Sequence, residues 1–262
     1  MKQDLDRLMQ EKKIDAVVID GFGSYDPNVL YMLQVPHLGG LVVKKVNEVA
    51  ILVHGLMERD EAKKTGLKLI EMTKYEYNKI VEKQKDRLKA WAELVAKVFT
   101  DLEVKGRIAY YGLWSIGTAY HFTRTLLRQC RSIEIVREPV KTLLHQARET
   151  KENDEVARIK SIGERAETAM SELLKFFKKH TIRDNRLVKE DGSPLKIVDA
   201  KRFLSKILFE NSLIEMSGSI LSIGRDAGVP HSTGNNEDPF ELGKTIIVDV
   251  FPRELIGGYY YD

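Results

Sequence analysis

Through the first 140 or so residues, short apolar runs take turns with amphipathic, charged stretches, and this alternation limits the fold more than any other feature. Residues 16–19, 41–43, 49–53, 67–72, 107–111 and 133–136 are short apolar runs that read as strands. The polar stretch 44–47 between the second and third runs suits a hairpin. Leu5, Leu8 and Met9 form an apolar stripe on an opening helix. A charged helix over 57–65 stops at Gly66, a long helix is expected over 77–102, and another over 115–128. Strands interleaved with helices specify an α/β layer with a mixed sheet. With 43% apolar and 31% charged residues, the chain has enough apolar surface for a packed core and is not a disordered type.

The pattern changes after Pro139 and the charged stretch 148–155, which separates an expected domain 1–147 from a second, 148–262. The total of 262 residues suits one large domain or two ordinary ones. Asn153 or Asp154 is placed to cap a long helix carrying Val156, Ile159, Ala166, Met170, Leu173 and Phe177 on one side. The turn 191–194 leads to a second helix, with Ser193 as its cap and Pro194 in its first position. Strands are expected at 213–216, 220–223, 245–251 and 258–261. A net charge of +3 makes no general case for nucleic acid. Cys130 has no second cysteine to pair with, which points to a reducing compartment; the arginines beside it favour the thiolate. No apolar run approaches the roughly 18 residues that span a bilayer, and the opening segment has no apolar signal core, so no membrane contact and a cytoplasmic location are expected.

Two places carry candidate chemistry. Asp249 stands in the otherwise apolar run 246–251, where a buried carboxylate is costly unless it is paired or bound to a metal. A hairpin centred between Leu255 and Ile256 sets Asp249 opposite Asp262, with Cβ atoms about 4.5–5.5 Å apart. Such a pair repels unless cations lie between, and metal pairs in hydrolases are about 3.5–4 Å apart. The bland alternatives are a bulge in which Asp249 takes backbone amides, a frayed Asp262, or a slip of one residue that separates their faces. The second place is the glycine-rich stretch 222–235, where His231 follows Pro230; it is either a proton donor to a substrate or a surface histidine in a turn. Tyr259, Tyr260 and Tyr261 read as strand packing, and Trp91 and Trp114 as core or inter-domain packing.

The segments SGSILSIGRDAGVPHSTGN and GKTIIVDVFPRELIGGYYYD, after two helices, resemble the first half of the catalytic domain of the creatinase/aminopeptidase P/prolidase family, the metallopeptidases of pita-bread fold. LDRLMQEKKIDAVVIDGFGSYDPNVLYM resembles the opening of that family's amino-terminal domain. The resemblance implies an α/β (α+β) protein, a creatinase-like mixed-sheet domain followed by a partial pita-bread domain. It implies that Asp249 is the first metal-ligating aspartate, that Asp262 is the second and bridges two ions, and that His231 contacts substrate near the scissile bond.

It further implies two divalent ions (manganese, cobalt, iron or zinc), a short peptide substrate with a free amino terminus, often with proline after the first residue, and a homodimer. The family's other ligands, a histidine and two glutamates, lie downstream of the second aspartate. His37, His54, His121, His145 and His180 lie upstream and in the wrong elements to replace them. The expectation is therefore a fragment of a longer protein that binds metal weakly or not at all by itself. Two alternatives stay open: a peptidase-like binding module without catalysis, and a creatinase-type hydrolase of a C–N bond in a small molecule. Keeping Asp249, Asp262 and His231 together favours the enzymes.

Overall fold

The computed structural model describes residues 4–23, 26–255 and 258–262, and these form two compact units that divide between Lys151 and Glu152. In the first unit the order is α1 (Asp4–Glu11), β1 (Ala16–Phe22), α2 (Pro27–Leu33), β2 (Gly39–Lys45), β3 (Ile51–His54), α3 (Arg59–Lys63), β4 (Lys68–Glu71), α4 (Tyr77–Gln84), α5 (Arg87–Asp101), β5 (Gly106–Tyr111), α6 (Ile116–Gln129), β6 (Ile133–Ile135) and α7 (Leu143–Ala147). The mixed sheet expected from the sequence is present, six strands in the order β4-β3-β2-β1-β5-β6. β2 is antiparallel to both β1 and β3; the pairings β3–β4, β1–β5 and β5–β6 are parallel.

Alternation along β1 explains how both faces are covered. Val17 and Ile19 point into a core shared with α1, α2 and α7, while Ala16 and Val18 point into one shared with α5 and α6. Trp91 and Trp114 pack against the second core, with Trp114 edge-on to Phe122 at 4.5 Å. Cys130 is buried there, and burial pushes its thiol up, so the neighbouring arginines do not activate it. The helix expected over 77–102 is broken. Lys85 takes the left-handed conformation at the end of α4, and the Asp86 carboxylate caps α5 by accepting from the Leu88 and Lys89 amides. α2 had no counterpart in the sequence reading, although Asp26 caps it and Pro27 opens it.

Asp20 ends the apolar part of β1 and is buried among aromatic residues. Its carboxylate accepts from the Trp91 indole at 2.5 Å and the Tyr110 hydroxyl at 3.3 Å. Burial pushes its pKa up from 3.8 to about 6, against the pull of those two donors. The folded state therefore holds this proton more tightly than the unfolded chain. The stabilisation from Asp20 is complete below about pH 4 and is lost as pH rises through about 6. Asp20→Asn keeps an acceptor for Trp91 and removes the titration. Chemical unfolding from pH 4 to 7 is expected to show the variant gaining stability over the parent as pH rises; parallel profiles would refute this assignment.

The second unit runs α8 (Asn153–Lys179), β7 (Thr181–Arg183), β8 (Arg186–Val188), α9 (Ile197–Glu210), β9 (Leu213–Ile214), β10 (Ile220–Ile223), β11 (Ile246–Asp249) and β12 (Arg253–Glu254). Ile162, Ala166, Ala169 and Leu173 of α8 face Ala200, Leu204 and Leu208 of α9 in its core. The cap of α8 is Glu152, one residue before the expected Asn153, and the Glu155 carboxylate accepts the Glu152 amide at 3.0 Å. α9 begins later than expected, with Lys196 as its cap, because Ser193 is spent on a turn in which its amide and hydroxyl both reach Asp191. Among the described residues no helix is long and apolar enough to cross a membrane.

Candidate functional site

β10 and β11 form an antiparallel pair in which Ile223 faces Ile246, Ser222 faces Ile247, Leu221 faces Val248 and Ile220 faces Asp249. Leu221, Ile223 and Val248 belong to the core of this unit. By strand alternation Asp249 and Ile247 project from the opposite face. The sequence reading placed Asp249 in a buried apolar setting, and the structure corrects that: the residue is half-buried, on the side of the ladder away from the core. The run of apolar neighbours had concealed which face each residue takes.

His231 lies in the loop after β10. It is exposed and has a left-handed backbone, φ 62°. The turn around it is closed by the Ser232 amide, which donates to the Val229 carbonyl at 3.1 Å. Three residues on, Gly234 (φ 76°) lies so close to β10 that a Cβ there would stand 2.3 Å from the Leu221 carbonyl oxygen. Glycine is required on both counts. The loop carrying His231 and the strand ending in Asp249 are thus both laid against β10, one over Leu221 and Ser222, the other across from Ile220. The imidazole makes no hydrogen bond among the described residues, which leaves both ring nitrogens available.

Asp262 ends a hairpin whose register differs from the expected one. Arg253 pairs with Tyr260, the Glu254 amide donates to the Tyr259 carbonyl at 2.9 Å, and the Tyr261 amide donates to the Pro252 carbonyl at 3.1 Å. Continued, this register sets Asp262 across from Phe251 rather than Asp249. The cause is visible on the outer edge of β12. β12 pairs with β9, and the Leu255 amide goes on to the Ser212 carbonyl at 3.0 Å, so the strand runs further before it turns. A shift of two positions keeps both aspartates on one side of a regular strand but makes them diagonal neighbours, about 7–8 Å apart in an ideal ladder. Ile256 and Gly257, part of the expected turn, lie outside the described residues.

Asp262 is exposed, and neither it nor Asp249 makes a hydrogen bond or ion pair among the described residues. Two carboxylates without protein partners are hard oxygen donors of the type that divalent cations take. Among the described residues no three His, Cys, Asp or Glu side chains come together as a metal site. His180 is engaged elsewhere, with its Nδ1 on the Phe176 carbonyl at 2.8 Å. The sequence reading missed Glu155, Arg158 and Gly163 of α8, which hold the segment bearing Asp262. They sit in a charged helix whose composition gives no signal of that task.

No family model matches the sequence, and no curated protein matches it. Solved structures do match the fold. The X-Pro aminopeptidase from Thermotoga maritima MSB8 superposes over 98% of this chain with a TM-score of 0.67 at 17% identity. The prolidase from Pyrococcus horikoshii OT3 covers 97% with a TM-score of 0.60 at 16% identity. The dipeptidase PepE from Mycobacterium ulcerans covers 99% with a TM-score of 0.62 at 13% identity. The chain has the fold of these proteins, as its resemblance to the creatinase/aminopeptidase P/prolidase family implied. It spans under two thirds of their length, 63%, 61% and 61% of the three chains in turn.

Proposed function

We propose that the protein is a metal-dependent peptidase acting at the amino ends of short peptides, of the Xaa-Pro aminopeptidase or dipeptidase type. The observation that carries this reading is the arrangement along β10: Asp249 across from Ile220 and the imidazole of His231 on a loop pressed against Leu221, both without a hydrogen bond or ion pair among the described residues. The names of the fold's neighbours, an X-Pro aminopeptidase, a prolidase and a dipeptidase, agree with it.

In this reading Asp249 and Asp262 hold divalent ions (manganese, cobalt, iron or zinc) together with ligands beyond those found here. When bound, such ions lower the pKa of water and polarise a carbonyl. His231 supplies a mobile proton at a ring nitrogen to the carbonyl oxygen or the departing nitrogen of the substrate. Gly234 holds the loop so that the histidine stays beside β10. The homodimer implied by the resemblance belongs to the same reading.

The test is release of the first residue from an Xaa-Pro peptide by the native gene product, with and without manganese, beside the 262-residue chain alone. Manganese-dependent release by the gene product is expected, and little or none by the 262 residues. Peptide binding without cleavage would favour the binding module instead, and cleavage of a small-molecule C–N bond the creatinase-type alternative. Either result overturns the peptidase reading.

A further inference from the structure

We propose that the first half of α8 is a latch that fixes the position of Asp262, with Glu155, Arg158 and Gly163 as positioning residues. The latch has three parts, spaced along the helix from residue 155 to 163. Glu155 is buried, 2% exposed, and accepts from the Tyr259 hydroxyl at 2.6 Å. Arg158 reaches Glu254 at 2.6 Å and lies over the Tyr259 ring, 4.7 Å from its centroid. The same Glu254 carboxylate accepts the Tyr259 amide at 3.3 Å, so the ion pair and the hairpin share one anchor. Finally the Tyr261 ring lies on the bare backbone of Gly163: a Cβ on Gly163 would stand 2.6 Å from the nearest ring carbon.

These contacts have a geometric result. Alternate residues of an extended segment point to opposite sides. Tyr259 and Tyr261 both reach α8, which turns Tyr260, 51% exposed, and Asp262 away from the helix. A run of three tyrosines before an aspartate thus has a purpose beyond strand packing. Two rings clasp the helix so that the carboxylate that follows is presented outward. Gly163 is needed because any side chain there lifts the second ring. This placement rests on the peptidase reading only for what Asp262 does once placed.

The experiment uses the native gene product and three variants of it: Gly163→Val, which lifts Tyr261; Tyr259→Phe, which keeps the ring under Arg158 but drops the hydrogen bond to Glu155; and Glu155→Gln, which keeps an acceptor. Amide hydrogen exchange at Tyr261, whose N–H is held by the Pro252 carbonyl, reports the latch. Exchange at least tenfold faster is expected in Gly163→Val and Tyr259→Phe, with near-parent exchange in Glu155→Gln and at the β10 amides in all three. Unchanged exchange at Tyr261 in both of the first two would overturn the latch.

Manganese affinity, read from the spin-resonance signal of free Mn2+ well below the unfolding temperature, separates placement from stability. Binding at least fivefold weaker in the two disrupted variants is expected. Faster exchange with manganese binding unaltered would leave the latch standing and remove Asp262 from the ligands.

Discussion

Asp6→Ala is expected to destabilise the first unit by about 3 kcal/mol, more than any other single charge removal in that unit. Lys44 lies in the middle layer, on β2, with a fully buried side chain. Its ammonium donates to the Asp6 carboxylate of α1 and to the Lys45 carbonyl at 2.9 Å. The same carboxylate oxygen accepts the Asn47 amide at 2.7 Å, which ties α1 to the β2–β3 turn. Removing Asp6 leaves a buried cation with one neutral acceptor. Breaking a buried pair in this way costs about 3–5 kcal/mol. The lower end applies because Asp6 is 33% exposed and water can enter its place.

Lys44→Met predicts a different outcome. The methionine fills a similar volume, no charge stays buried, and Asp6 keeps both its solvent and the Asn47 amide. A loss of about 1 kcal/mol or less follows. Urea unfolding of the two variants tests the order. Equal losses, or a larger loss for Lys44→Met, would mean that the pair does not stabilise the fold in the way its burial implies.

How much of this was legible in the sequence depends on what each residue had to report. The six strands of the first unit were readable because each holds a short apolar run with polar residues beside it, and packing then took each run as it stood. The break between α4 and α5 was not, because its pivot is Lys85 in a left-handed conformation that lysine does not advertise. Asp86 did carry a cap signal, which an otherwise helical pattern outweighed. α2 was missed although Asp26 and Pro27 are a cap and a first-turn proline; the helix is only seven residues long, too short for its period to show.

At the site, Asp249, His231 and Asp262 stood out because aspartate in a strand and histidine in a glycine-rich loop are unusual. Their setting did not follow from that. The face taken by Asp249 is decided by which of Leu221 and Ile220 enters the core, and the hairpin register by the pairing of β12 with β9, both long-range contacts. Asp20 shows the reverse case. It was overlooked within the run that follows Ile19, yet burial raises its pKa to about 6.

On the proposed peptidase reading, the largest effect on activity is expected from Asp249→Ala in the native gene product: manganese-dependent cleavage of an Xaa-Pro peptide falls by about 10³-fold, equivalent to roughly 4 kcal/mol of transition-state stabilisation. The protein fold should survive the change. Asp249 is half-buried on the face away from the core, makes no hydrogen bond or ion pair among the described residues, and closes a strand whose inward contacts come from Val248. No contact of the fold is lost with it among the described residues, so thermal stability without metal should be unchanged.

That combination is the discriminating feature. A structural aspartate bound to backbone amides loses stability when replaced, whereas a free carboxylate held for a cation loses only the cation. Manganese should therefore raise the melting temperature of the parent and leave that of Asp249→Ala where it was. If Asp249→Ala melts well below the metal-free parent, the residue holds the fold rather than an ion. If it keeps full activity, the peptidase reading of β10 and β11 is wrong.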